Sequence, residues 1–377
     1  MTKILHTADW QVGEQFGQFD TETAAELTRE RITVIERLAQ LATERAVDAI
    51  VVAGDVFELQ TVSERSIRRT FAALAGFPGP WVFLPGNHDA ALVDSVWTRA
   101  QRLGCVPDNA HLCLTPDPLL LHDQRLAILP APLVQRHTTE DGTRWFSDAQ
   151  TPEGYARVGL GHGRAGDVLP GDTDANNVIA KDAAATGRLD YLALGDWHGT
   201  FKVDDRTWYS GAPETDRFVN NDSGNALIVT VQPGQLPEVT KARTGRFNWN
   251  TLQRELRVDG DLEVLAGELD ALKSVDVLRL RLSGSISLAQ LERLKAMIGK
   301  AEATAHAVRH DLDELRLLPS DEDMASLNAD GYVAKVFEEL QQGQASREHE
   351  HAQLSREALE ILATELISLR DVAGATR

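Results

Sequence analysis

The first half of the chain alternates short apolar runs with longer stretches whose apolar residues recur every three or four positions. Residues 3–7 form the first run, and residues 48–54, "DAIVVAG", form the second, ending in glycine as buried strands do. Between them, residues 21–46 place Leu27, Ile32, Ile35, Leu38 and Leu41 close to helical spacing, with Asp20 or Thr21 available as the cap. The same reasoning predicts helices over 62–76 and 94–103 and a strand in "WVFLPG", residues 81–86. Short runs at 111–114, 118–122 and 125–129 are broken by Pro and Asp and read as hairpins. Strands continue at 156–163, 189–199, 207–211 and 225–231. This order predicts a layered α/β sandwich in preference to one doubly wound sheet.

The texture changes near 232–250, through "QPGQLPE" and "RTGRFNWN", which predicts a domain boundary after a first domain of residues 1–245. Residues 251–342 alternate again, as strand 252–257, helix 261–273, strand 277–283, helix 287–302 and helix 329–342. They predict a smaller α/β domain with no obvious catalytic residues. Residues 343–377 read as a polar linker and a terminal amphipathic helix, 353–371. Its face of Leu354, Ala358, Leu359, Leu362, Leu366 and Leu369 either docks on the core or binds a partner.

Composition adds limits more than content. A length of 377 residues suggests two domains, and a hydrophobic fraction of 42% supports a real core. The two cysteines, Cys105 and Cys113, form no C-x-x-C pair, which fits a reducing compartment. "MTKILHTAD" runs straight into a strand and does not read as a signal peptide. No apolar run approaches the roughly 20 residues of a membrane span. Together these predict a soluble cytoplasmic protein. The net charge of −19 argues against a general nucleic-acid coat, though not against a local basic groove.

The chemistry lies where the strands end. Five strand ends in the first domain carry short motifs, mostly flanked by glycine, that contain Asp, Asn or His: "ADWQ" (Asp9, Gln11), "GDVFE" (Asp55), "GNHD" (Asn87, His88, Asp89), "GHG" (His162) and "GDWH" (Asp196, His198). Any one of them is a common turn. Carboxyl ends of strands converge in space, however, and five such motifs together point to one site. Two divalent ions roughly 3.5–4 Å apart need a bridging carboxylate and several ligands each, and these residue types supply them.

The ordered motifs resemble those of the calcineurin-like metallophosphoesterase superfamily. Within it "ILHTADWQVG", "VVAGDVFE", "FLPGNHD" and "YSGAPE" are similar to the SbcD-type DNA repair nuclease branch, strongly over residues 1–245 and only loosely beyond. The resemblance implies an α/β/β/α sandwich whose C-terminal α/β domain acts as an accessory or cap. It implies a manganese-dependent phosphodiesterase acting on DNA, magnesium being the other candidate ion. It also implies a homodimer paired with an SbcC-type coiled-coil ATPase. Asp9, Gln11, Asp55 and His198 would hold one ion, with Asp55 bridging to a second on Asn87, His162 and Asp196. His88 would be the catalytic histidine, oriented by Asp89, with Glu58 in support.

Two positions depart from the pattern. Gln11 and Asp196 stand where histidines are expected, so the site exchanges two imidazoles for oxygen donors, a set that favours Mn²⁺ or Mg²⁺ over Zn²⁺. Two other readings remain open: a phosphodiesterase for nucleotides or other small phosphoesters, and a non-catalytic partner subunit. Arg65, Arg68 and Arg69 share a helix face that is either solvated or in contact with a partner or DNA. Trp10 and Trp197 each precede a candidate ligand, and would either wall the cleft and stack a base or pack beneath the site.

Overall fold

The computed structural model describes residues 1–166, 168–169, 176–318, 331–344, 346, 350–359 and 361–362. The chain divides into two compact units, Met1–Asn248 and Trp249–Arg377.

In the first unit, β1 (Thr2–Thr7), β2 (Ala49–Ala53), β3 (Trp81–Leu84) and β4 (Ala110–Leu112) run parallel. The antiparallel strands β13 (Asn225–Val231) and β14 (Glu238–Arg243) complete a six-stranded sheet beside β1. A second six-stranded sheet has β6 (Leu126–Ala131), β7 (Ala156–His162), β10 (Tyr191–Gly195) and β12 (Thr207–Tyr209) in parallel. Its edges are the antiparallel strands β5 (Leu119–Leu121) and β11 (Phe201–Lys202). The short pair β8 (Arg164–Ala165) and β9 (Val178–Ile179) stands apart.

The two-residue period of each strand sorts its side chains between layers. Ile4, Val51, Val82 and Leu84 pack against Leu126, Ile128, Val158 and Leu160 between the sheets. The alternate residues Leu5, Ile50, Val52 and Phe83 face a cluster with α1 (Thr21–Glu44), α2 (Glu64–Ala72) and α3 (Val96–Arg102) through Ile35, Ile67 and Val96. On the second sheet, Leu129, Leu192 and Leu194 pack with Phe146 and with Ala183 of the short helix α4 (Ala183–Thr186). The layers are therefore α/β/β/α. Asp20 caps α1 as its sequence suggests, accepting from the backbone N–H groups of Glu22 and Thr23.

The three short runs after α3 are not all hairpins. β5 and β6 form one, but β4 lies parallel to β3 at the edge of the first sheet. Helix α3 supplies the crossover that a parallel pair needs.

In the second unit, β15 (Asn248–Leu256), β16 (Asp276–Ile286) and β17 (Ala307–Leu317) form a sheet. Helices α5 (Asp259–Asp270) and α6 (Leu288–Thr304) cover Leu278, Leu280 and Leu282 with Leu265, Leu269, Leu291 and Leu294. The sequence reading missed β17, an edge strand rich in charged, exposed residues, and β14, placed in the linker. Helix α7 (Gly331–Gly343) follows. Of the terminal helix, Leu359 is buried and Leu354 is 57% exposed, while Leu366 and Leu369 lie outside the described residues.

A core histidine makes the fold sensitive to acid. His6 is fully buried, with Nδ1 2.9 Å from the Tyr191 hydroxyl and Nε2 3.1 Å from the Leu194 carbonyl. Burial holds its pKa down to about 3, against 6.5 when unfolded. Below pH 6.5 the unfolded chain takes up a proton that the folded chain refuses. The stability this group gives is full above that pH and falls as pH drops, by about 2 kcal/mol at pH 5. Urea unfolding at pH 7.5 and pH 5 should show a larger loss for wild type than for His6→Asn. Equal losses would contradict the assignment.

Candidate metal centre

Parallel register brings the strand ends to one edge. β1 leads to Asp9 and Gln11, β2 to Asp55, β3 to Asn87 and His88, β7 ends at His162, and β10 leads to Asp196 and His198. The backbone there is tightly turned: Asp9, Gln11, Asp55 and Asp196 hold φ of 53°, 49°, 53° and 100°. Left-handed non-glycine residues are costly and cluster at functional sites. Two glycines let the loops close. A Cβ on Gly54 would come within 2.2 Å of His162 Nδ1, and one on Gly86 within 2.1 Å of Asp55 Oδ1.

Asp55 is the hub. Its Oδ1 lies 3.4 Å from His162 Nε2, across the two sheets, and accepts from the His88 backbone N–H at 3.0 Å. Its Oδ2 accepts from Gln11 Nε2 at 3.1 Å. The Asn87 amide meets His162 Nε2 at 3.0 Å, and Asp196 Oδ1 lies 3.8 Å from the same nitrogen. Asp9 Oδ1 accepts from the Asp196 backbone N–H at 3.0 Å.

Both buried histidines are oriented through Nδ1. That of His162 donates to the Ala53 carbonyl at 2.8 Å, and that of His198 to Asp216 Oδ2 at 2.7 Å. Each ring thus presents Nε2 to the cluster, the arrangement that fixes metal-ligating histidines. Asp216 is itself buried and paired with Arg31 at 3.0 Å.

Burial and crowding leave these carboxylates short of positive charge. Burial, helped by Asp55, pushes Asp9 up to about 6 and Asp89 up to about 7. Burial also raises Asp196. It opposes ionisation of Asp55 as well, but the His162 charge and hydrogen bond outweigh it and hold that carboxyl below its usual range. A divalent cation would supply the missing charge. The residues fit one: donor atoms of Asp9, Asp55 and His162 lie within 4.8 Å of one another. Asp9 Oδ2 and Gln11 Oε1 are buried with no hydrogen-bond partner, a costly condition that a cation relieves. For Gln11 the amide nitrogen faces Asp55 and His198, so ligation through Oε1 requires the amide to turn end for end.

Three expectations are corrected. Asp89 does not orient His88. It is fully buried and accepts from the backbone N–H groups of Gly86, Val56 and Phe57 at 2.7, 2.8 and 3.1 Å, tying two site loops together. Glu58 holds His88 instead, through its carbonyl 2.9 Å and its carboxylate 3.4 Å from Nδ1, and that pairing lifts His88 to about 9. Asp89→Ala should therefore cost about 3 kcal/mol or more in chemical denaturation, by stranding three buried donors. An unchanged unfolding midpoint would refute the loop-tying role. Trp10 does not line a cleft: it is fully buried, edge-on to Trp81 and Phe83, with Nε1 on Thr7. Trp197 is half-buried against the outer cluster of the second sheet.

Arg65, Arg68 and Arg69 are exposed on α2, and Arg68 donates to the Leu103 carbonyl. The "KARTGRFNWN" segment is packed, with Phe247 buried and Arg246 over its ring and paired with Glu30. Sequence reading missed Asp216, Arg217 and Arg31. They lie far from the strand-end motifs and carry no local signal.

A family model described as calcineurin-like phosphoesterase matches residues 2–229. The chain is 36% identical over 94 residues to the D subunit of the nuclease SbcCD of Rhodobacter capsulatus, a match covering 24% of this chain and 22% of that protein. It thus spans well under two thirds of that relative's length. A solved protein of Thermus thermophilus, TT1561, aligns with a TM-score of 0.37 and 14% identity, over 64% of this chain and 99% of that one. That likeness carries no argument.

Proposed function

Because the chain belongs to the calcineurin-like phosphoesterase family, a metal-dependent hydrolase family, we propose that it is a phosphodiesterase of the nuclease type acting on DNA. The observation that carries the reading is the convergence of five strand ends on Asp55, with Asp9 Oδ2 buried and unpartnered beside it. Asp9, Gln11, Asp55 and His198 hold one ion, and Asp55, Asn87, His162 and Asp196 the other. Bound divalent ions polarise a phosphoryl oxygen and make water a better nucleophile. The remaining groups belong to the protein. His88, held by Glu58, places Nε2 toward a phosphodiester and donates a proton to the leaving oxygen. Asp216 and the Ala53 carbonyl hold the two ligand imidazoles in one tautomer.

Besides Asp55, the non-histidine donors Asp9, Gln11, Asn87 and Asp196 offer oxygen from a carboxylate or amide, which supports Mn²⁺ or Mg²⁺ over Zn²⁺. The partial similarity to a nuclease subunit supports DNA as substrate and an SbcC-type coiled-coil ATPase as partner, with a homodimer as the working form. No helix among the described residues is long and apolar enough to cross a membrane, and a cytoplasmic location agrees with the unpaired cysteines.

The test is hydrolysis by purified protein, with and without Mn²⁺, of single-stranded DNA, duplex ends and bis-p-nitrophenyl phosphate. Mn²⁺-dependent cutting of DNA supports the proposal. Cleavage of the small ester with no form of DNA cut would restrict the enzyme to small phosphodiesters. Loss of all hydrolysis would leave the non-catalytic reading.

A further inference from the structure

We propose that Arg217 is a built-in competitor for the ion at the Asp9–Gln11–His198 position, so that this ion binds weakly and the one on the His162 side binds tightly. The inference rests on the two-ion reading. His198 donates its Nδ1 proton to Asp216, which leaves a single lone pair, on Nε2. Arg217 Nη2 lies 3.3 Å from that nitrogen and Gln11 Nε2 lies 3.4 Å from it. Both are donors and neither is a ligand atom.

A metal ion sits about 2.0–2.1 Å from an imidazole nitrogen and takes the same lone pair. A guanidinium and a divalent ion cannot share it, and their charges repel at that range.

The Arg217 placement is built. Asp216 accepts from its Nε at 3.0 Å and its Nη2 at 3.3 Å, so one carboxylate positions both the ligand histidine and its competitor. Arg31 anchors that carboxylate from within the core at 3.0 Å. The Arg217 side chain is still 53% exposed, which leaves it a path outward when an ion enters.

The His162 side differs. Its Nε2 faces the Asn87 amide and the carboxylates of Asp55 and Asp196, with no cationic side chain among those contacts. The neutral Gln11 therefore weakens one position only in concert with Arg217. The replacement of a histidine by Gln at 11 and the arginine at 217 describe the same local loss of affinity.

The test is Mn²⁺ binding to the metal-stripped full chain, by titration calorimetry and by electron paramagnetic resonance of free Mn²⁺, on wild type, Arg217→Gln and Arg217→Lys. Wild type should show one tight and one weak site. Arg217→Gln should tighten the weak site about tenfold or more and leave the tight one unchanged. Arg217→Lys, which keeps the charge, should stay close to wild type. Arg217→Met serves as a second neutral variant if the Gln form folds poorly by its melting curve. A weak site unmoved in the neutral variants, or two equally tight sites in wild type, overturns the proposal and leaves the two-ion reading intact. No Mn²⁺ bound by any form removes that reading itself.

Discussion

Asp55→Asn should lower Mn²⁺-dependent phosphodiester hydrolysis on the order of 10³-fold or more, the effect of several kcal/mol of lost charge stabilisation. Asp55 is the residue that touches both halves of the site, with Gln11 on one oxygen and His162 on the other. Asparagine keeps its shape and its contact with the His88 backbone N–H, so the variant should fold. It halves the oxygen donors at the bridging position and removes their charge, so Mn²⁺ content should fall along with rate. Undiminished hydrolysis would show that the activity comes from another protein in the preparation.

His88→Leu should act differently. It should lower kcat by about 10²- to 10⁴-fold, the range for loss of a positioned general acid or base. Metal content should remain that of wild type, because His88 touches Asp55 only through its backbone N–H. Glu58→Gln should produce a smaller loss in the same direction, since it keeps the carbonyl that accepts from Nδ1 and loses only the carboxylate. Loss of Mn²⁺ from the His88→Leu protein would make that histidine part of the metal cage and contradict its place in proton transfer.

The strand-end residues were legible because each motif is local: a buried strand, a glycine that permits close approach, then the side chain. Gly54 before Asp55 and Gly86 before Asn87 show why, since the backbone passes within contact of His162 and Asp55 at those points. The layers were legible for the same reason, through the alternation that sends Ile4 and Val51 one way and Leu5 and Val52 the other. What the sequence hid was three-dimensional. Asp89 sits next to His88 along the chain yet reaches backward to three backbone donors, while Glu58, thirty positions away, takes the histidine. Asp216 and Arg31 meet His198 only because α1 and the segment after β12 pack together. Strand β17 escaped notice because much of an edge strand faces water, and "AVRHDLDELRL" carries charge where a central strand would carry Val or Ile.

Anomalous diffraction at the manganese edge, from crystals of the full chain held in millimolar Mn²⁺, bears most directly on the metal centre. Two peaks roughly 3.5–4 Å apart, with Asp55 between them, are expected. A single peak away from Asp55, or none at the strand ends, would contradict it.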